Sequence, residues 1–334
     1  MPNSKLLVFI GVGLTFVVFV IHHYSNVISQ QLNMVKEIAE TVEHEEKIVV
    51  AQLQHIPVIE QPEESKGLGT PGEATPQQEF ERLWNYIYKM QYKCTNSEYL
   101  GGRAIDRDGA YDLCKEPKFW ERANDPNYKC LMYSFGVGND FTFDDEVAKR
   151  GCEVHSFDPT MDLSDGHVRD SGVVFHKLGI SSENIDKDAN GWKMRNFKTL
   201  IKELGHNGRY MDYLKIDTDA PQGGFEDTLM QELLDTGLYK CVRQYAQEIH
   251  LLGPISNPDK LKRCRNIYRQ LTTLNEHGWR LYNNTDNVRA TRIVQKNPNF
   301  QQIQNKAGMV NKGGAILWET AFVNFKVESP CKVE

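Results

Sequence analysis

Three short runs in this 334-residue chain bring together residue types that chemistry needs. The first is Gly136-Val137-Gly138, which follows the apolar run Cys130–Phe135. Glycines after a strand and before a helix allow a tight turn and let a nucleotide-like ligand approach the backbone. Asp158 closes the next apolar run, 22 residues after Gly136 (158 − 136). A carboxylate in that place can accept hydrogen bonds from both hydroxyls of an adenosine ribose. The second run is Asp217-Thr218-Asp219, directly after Tyr213-Leu214-Lys215-Ile216. Two acidic groups at a strand end can bind a divalent metal, orient a substrate hydroxyl or accept a proton. The third is Glu248 and His250, whose spacing puts them on one face of a strand. Histidine is the side chain best suited to proton transfer near neutral pH. Each run also has a plainer reading: turn glycines with a helix-capping Asp, a solvated loop, and a structural strand histidine.

The region after the glycines separates two ligand classes. A dinucleotide site prefers a third glycine that lets a helix N-terminus face a pyrophosphate. Here the chain reads Gly138-Asn139-Asp140-Phe141, and an acidic Asp140 repels phosphate. The same carboxylate attracts the sulfonium or amino group of S-adenosylmethionine (SAM), which is therefore the favoured ligand. The expected cofactor contacts are Phe135, Gly136, Gly138, Asp140, Asp158 and Gly179; the expected catalytic groups are Asp217, Asp219 and His250. No metal is assigned.

These residues need a frame that gathers them. Strands are predicted at Cys130–Phe135, Glu153–Phe157, Val173–Leu178 and Tyr213–Ile216, within Cys241–Leu252, and late in the chain at Trp279–Tyr282 and Ala315–Phe325. Helices are predicted at Asp144–Arg150, Lys198–Leu204, Phe225–Leu234 and Leu261–Leu274. This alternation implies an α/β fold, a doubly wound sheet with helices on both faces and right-handed crossovers. Ligands of such sheets sit at the carboxyl ends of the strands, near a topological switch point. Gly136, Asp158, Gly179, Asp217 and Glu248 all fall at those predicted ends.

Upstream, Leu6–Ile21 is an apolar run without charge or proline. A helix needs roughly 20 residues to span a bilayer, so the run stands near the lower limit of a membrane anchor. It is longer than the ~7–15 residues of a cleaved signal and lacks a small-x-small cleavage site. Lys5 and the amino terminus precede it and acidic residues follow, which predicts a type II single-pass topology with the remainder lumenal, in the Golgi or endoplasmic reticulum. The organisation expected is residues 1–26 as cytosolic terminus and anchor, 27–76 as stem and linker, and 77–334 as the folded domain. Ile28, Leu32, Val35, Ala39, Val42, Val49, Leu53 and Ile56 recur with heptad-like spacing, as in a dimerising stem or a solvated spacer helix. The stretch from Pro57 to Pro76 reads as a flexible linker.

A net charge of −6 with scattered basic residues excludes a nucleic-acid partner held by bulk electrostatics, and 40% hydrophobic residues are too few for a polytopic membrane protein. None of the seven cysteines has zinc-like spacing. In an oxidising compartment they form disulfides, with an odd one over. Cys130 and Cys152, which flank apolar runs, also read as buried thiols. The sequon Asn283-Asn284-Thr285 is a formal glycosylation acceptor in such a compartment.

Tyr133-Ser134-Phe135-Gly136-Val137-Gly138, Val154-His155-Ser156-Phe157-Asp158-Pro159 and Leu214-Lys215-Ile216-Asp217 together resemble the animal methyltransferase-like protein 24 group, and more distantly FkbM-type methyltransferases. Asp108–Cys114 looks like part of the same domain, and the likeness covers about Lys89 to Phe325. It implies a Rossmann-like class I SAM-dependent methyltransferase sheet. It puts Gly136 and Gly138 in the first SAM motif, Asp158 at the ribose and Asp217 near the transferred methyl. The chain departs from the pattern at Ser134, where many such enzymes carry an acidic residue, and at Asp140, their third glycine position. FkbM-type proteins often continue Gly-Tyr-Glu after the fourth-strand Asp; here Thr218–Gly224 intervenes before Phe225-Glu226. The resemblance implies methyl transfer to an acceptor that the sequence does not name. Two other readings stay open: a Golgi glycosyltransferase using Asp217 and Asp219 as a metal-binding pair, and a non-catalytic interaction protein that keeps the fold.

Overall fold

In the computed structural model, residues 68–105, 107–120, 128–219, 224–251, 255–287 and 317–334 are described. They begin in the last part of the expected linker. Leu68 and Gly69 are held by their carbonyls, which accept hydrogen bonds from the buried Arg82 at 2.7 and 2.8 Å. Helix α1, Pro76–Tyr88, starts on a capping box: the Thr75 side chain accepts from Gln78 N–H, the Gln78 side chain bonds back, and proline occupies the first turn. Strands β1, Ser97–Gly101, and β2, Ala110–Cys114, form an antiparallel hairpin. Then come β3 (Leu131–Phe135), α2 (Thr142–Lys149), β4 (Glu153–Phe157) and β5 (Val174–His176). The short parallel pair β6 (Gly179–Ile180) and β7 (Met194–Arg195) leads to α3 (Phe197–Glu203) and β8 (Met211–Ile216). The chain closes with α4 (Glu226–Thr236), a 3-10 turn over Leu238–Cys241, β9 (Val242–His250), α5 (Pro258–Glu276), β10 (Trp279–Asp286) and β11 (Leu317–Asn324).

Seven strands make one sheet in the order β10-β11-β9-β8-β3-β4-β5. β9, β8, β3, β4 and β5 run parallel; β11 is antiparallel to both neighbours. The central strands β3 and β8 are buried at every residue, as parallel strands covered on both faces must be. Their side chains alternate between two apolar layers. Leu131, Tyr133 and Phe135 join the layer formed with α1, α3, α4 and α5, whereas Met132 joins the layer formed with α2 and the β1–β2 hairpin. This is the α/β, Rossmann-like architecture expected. The hairpin and α1 were not among the predicted elements. β1 and β2 carry mixed burial, so their alternation is weak in the sequence. The hairpin is bound to the sheet through Gln244, whose amide exchanges hydrogen bonds with the Cys114 backbone at 2.9 Å, and through Tyr213 and Tyr282, whose hydroxyls donate to the Asp112 carbonyl.

Three disulfides cross the fold, Cys94–Cys114, Cys130–Cys152 and Cys241–Cys331, and Cys264 is a buried free thiol. The buried-thiol reading of Cys130 and Cys152 is thereby overturned. β3 and β4 begin as parallel neighbours, so the residues just before each start lie side by side. The sequon falls inside β10, with Asn283 half-buried and paired with Ala321 rather than in a surface loop. No helix among the described residues is long and apolar enough to cross a membrane. The expected anchor, the stem and most of the linker lie outside the described residues.

A polar cluster is packed under β3 and β4. Glu153 accepts from Arg209 at 2.7 Å and lies 3.2 Å from ring nitrogens of both His155 and His206. His155 Nδ1 is 2.8 Å from His176, and His206 Nδ1 is 2.6 Å from the Tyr133 hydroxyl. Burial lowers His155 from 6.5 to about 4 and also lowers His176 and His206. The unfolded chain therefore takes up protons that the folded imidazoles refuse, and stability falls as pH drops from about 6.5 to about 4. From His155 alone the loss is about 3 kcal/mol. Melting temperatures measured across that range should decline, and His155→Gln should flatten the decline. A profile level down to pH 4.5 would contradict this account.

Candidate functional site

The order of the sheet reverses between β3 and β8, and a cavity of about 1110 Å³ opens at the carboxyl ends of these strands. Open α/β sheets bind ligands at such a switch point. Eight of the nine residues singled out from sequence line it: Phe135, Gly136, Gly138, Asp140, Asp158, Gly179, Asp217 and Asp219. His250 is the ninth. It is fully buried beside the cavity and reaches it through Glu248 and Asp219.

The glycine loop is fixed from three sides. Gly136 N–H donates to the Phe157 carbonyl at 2.9 Å, and its own carbonyl accepts from Lys215 Nζ at 2.8 Å. Its φ is +75°, and a Cβ there would lie 1.7 Å from the Asp217 carbonyl oxygen. Gly138 also has positive φ, and its N–H donates to Asp158 Oδ2 at 2.8 Å. The other oxygen of Asp158 accepts from the Thr160 N–H and hydroxyl at 2.8 and 2.6 Å. A carboxylate has about four acceptor positions, so Asp158 keeps capacity toward the cavity. Asp140 Oδ1 accepts from Thr142 N–H at the start of α2, while its Oδ2 is shielded from solvent and has no hydrogen-bond partner among the described residues. Gly179 lies against Met194 and Pro159, and with Ile180 and Trp192 these residues line an apolar side of the cavity.

Opposite them stands an acidic wall. Asp217 is 3.5 Å from Lys215 Nζ, and Glu248 Oε2 is 3.1 Å from His250 Nε2. Asn287 donates to Glu248 at 2.6 Å and to Asp108, on the β1–β2 turn, at 2.9 Å. Burial, then the charge of Asp217, pushes Glu248 up to about 8. Burial also opposes charge on Asp217, but the charge of Lys215, helped by Glu248 and His250, outweighs that and holds its carboxyl below the usual range. Glu319 is raised well above the carboxylate range by burial and by Glu248. For His250, burial disfavours the charged ring, yet Asp219, Glu226 and Glu248 raise it far above the ordinary histidine value. The ring is thus set among three carboxyl groups, with Nε2 toward Glu248 and Asp219 and Nδ1 toward Glu226. The Asp219 side chain is almost fully exposed at the rim.

Sequence reasoning passed over Lys215, Glu319, Tyr111 and Asn287 as site residues. For two of them a signal existed: Lys215 and Glu319 are charged residues inside largely apolar strands, Met211–Ile216 and Leu317–Asn324, and a buried charge must be paired.

A family model described as a methyltransferase domain matches residues 62–296, most of the chain and all of the glycine loop, Asp158 and the acidic wall apart from Glu319. The chain belongs to this methyltransferase family. Human probable methyltransferase-like protein 24 is 26% identical over 231 residues, 66% of this chain and 60% of its own length. The protein of that name from Rattus norvegicus is 28% identical over 189 residues, 53% of this chain and 49% of its own. The methyltransferase thus spans about half to three-fifths of the length of these curated relatives. The resemblance carried by Tyr133–Gly138, Val154–Pro159 and Leu214–Asp217 is to this group. The glycosyltransferase reading of Asp217 and Asp219 receives no support from it.

Proposed function

We propose that this methyltransferase uses S-adenosylmethionine and transfers its methyl group to an oxygen or nitrogen nucleophile of a secretory-pathway acceptor. The observation that carries the reading is the Gly138–Asp158 contact at the switch point: a carboxylate with spare acceptor capacity, fixed beside a left-handed backbone that favours glycine. The residues present suit this donor. Asp158 would hold the ribose, the apolar side at Ile180 and Trp192 would take the adenine, and Asp140 would face the cationic amino acid end. Bound there, the donor supplies an activated methyl group, so the protein's part is alignment and removal of a proton. Asp217, ionised and lining the cavity, is the group placed to receive that proton, with Asp219 at the rim. The cavity, large by the standard of roughly 300–1,000 Å³ for ligand sites, leaves room for an acceptor beside the donor.

Calorimetric titration of the full chain with S-adenosylhomocysteine tests this reading, with UDP in the presence of manganese run in parallel. Saturable binding of S-adenosylhomocysteine is expected. A folded sample that binds only UDP, or neither ligand, would overturn it.

The lumenal, type II placement is part of the same proposal. It is supported by the apolar run at Leu6–Ile21 and by three disulfides, which persist in oxidising compartments. Alkylation of denatured protein should label Cys264 alone before reduction and all seven cysteines afterwards. Seven labelled thiols in protein taken directly from cells would contradict the placement.

A further inference from the structure

The acidic wall is built like the first and outer shells of a metal centre. Donor atoms of Asp217, Glu248 and His250 all lie within 4.8 Å of one another. An octahedral cation with bonds of about 2.1 Å spans donors up to about 4.2 Å apart, so closing the set takes a side-chain shift of under about 1 Å. The 3.1 Å between His250 Nε2 and Glu248 Oε2 already matches two neighbouring ligands. The other face of the ring points at a carboxylate, as ligating histidines usually do. His250 Nδ1 is 3.5 Å from Glu226 Oε1, and Glu226 is itself buried and fixed by Arg263 at 2.6 Å and by the His250 N–H at 2.8 Å. Glu248 is steadied in turn by Asn287.

Two further buried groups meet the same place with atoms unused. Glu319 stands directly opposite Glu248 in the β9–β11 register, which brings a third buried carboxyl group to the same place. Its Oε2 makes no hydrogen bond among the described residues. Nor does the Tyr111 hydroxyl, which is 2% exposed and within electrostatic reach of Asp217, Glu248 and Glu319. The wall thus gathers three carboxylates against Lys215 and His250. By contrast, the cluster of Glu153, His155 and His206 is closed: its nitrogens are engaged and Arg209 already meets the carboxylate.

We propose that Asp217, Glu248 and His250 bind a divalent cation of the manganese type in the wall of the cavity, with the proton on His250 Nε2 released to solvent as the cation takes its place and with Glu226 as the group that orients the histidine. Two carboxylates and one imidazole suit manganese, which accepts oxygen and nitrogen donors, and leave positions open for water or an acceptor oxygen. The site does not depend on the methyl donor, so it is tested without one.

Manganese is titrated into the full chain in detergent, and the free ion is followed by its electron paramagnetic resonance signal. One saturable site is expected. Glu248→Gln should weaken it at least 10-fold and Glu226→Gln by about 10–100-fold, while Asp186→Asn, on an exposed loop, should leave it unchanged. S-adenosylhomocysteine binding is measured separately on each variant, so loss of one function is not mistaken for loss of the other. No uptake by folded protein at millimolar manganese, or uptake that both Glu248→Gln and His250→Asn leave intact, would overturn the site. Circular dichroism on each variant distinguishes a lost site from a lost fold.

Discussion

Gly136→Ala is expected to destroy the cofactor side of the cavity and to lower the stability of the whole sheet. The added methyl would lie 1.7 Å from the Asp217 carbonyl oxygen and 2.5 Å from its carbonyl carbon. Both are backbone atoms, so no rotamer change can make room. β3 and β8 would have to part at their carboxyl ends, where Asp217 N–H donates to the Phe135 carbonyl at 2.9 Å. The residue must also hold φ +75°. Overpacking and a left-handed conformation together cost about 3–5 kcal/mol. Gly138→Ala is the internal control: it shares a positive φ but has nothing within 4 Å of the new methyl. Only the conformational cost remains there, about 1–2 kcal/mol. Melting curves of the two variants should therefore differ by several degrees, and S-adenosylhomocysteine binding should vanish in Gly136→Ala. Equal melting temperatures would mean that the strand ends are not packed as described.

That asymmetry between two glycines of one motif shows where sequence reading stops. Gly136, Gly138, Asp158 and Asp217 were legible because each ends a strand, and strand ends follow from apolar runs bounded by turn residues. The order of the sheet was not legible, since it depends on which strands pair. Only the β3–β8 adjacency makes Gly136 irreplaceable. Distance in sequence hid the acidic wall for the same reason. Glu248 and Glu319 are 71 residues apart (319 − 248) and become direct neighbours through one antiparallel register. His250 was legible as a residue but its surroundings were not, because nothing local announces Glu226 on one side of the ring and Glu248 on the other. The disulfides follow the same rule: Cys241 and Cys331 meet only once the last residues return beside the 3-10 turn, where Glu328 N–H donates to the Lys240 carbonyl. Ser134 is the converse case. The position lacks the acidic residue common in similar enzymes, but the neighbouring strand places Ser156 beside it, hydrogen-bonded to the buried Asp144 of α2. A carboxylate missing from the strand is thus present in the space around it.

Asp158→Ala should reduce affinity for S-adenosylhomocysteine by roughly 10–100-fold, since the one acceptor position left toward the cavity offers a charge-assisted hydrogen bond of about 1.5–3 kcal/mol. The loss has two possible sources. Asp158 would meet the ribose, but it also holds the Gly138 N–H and the Thr160 turn. A ligand variant separates them. An S-adenosylhomocysteine analogue lacking the ribose 2′-hydroxyl should bind the unaltered protein about 10-fold or more weakly, because a bond to the carboxylate is gone. In Asp158→Ala the same analogue and the parent ligand should bind alike, because the partner of that hydroxyl is absent from both complexes. If instead the analogue is disadvantaged equally in both proteins, Asp158 acts on the loop and not on the ribose. Asp158→Asn should fall between the two, since its amide keeps one acceptor for Gly138 while presenting a donor where Thr160 also donates. The position of the Asn variant between wild type and Ala then measures how much of the carboxylate's work is done on the protein's own backbone.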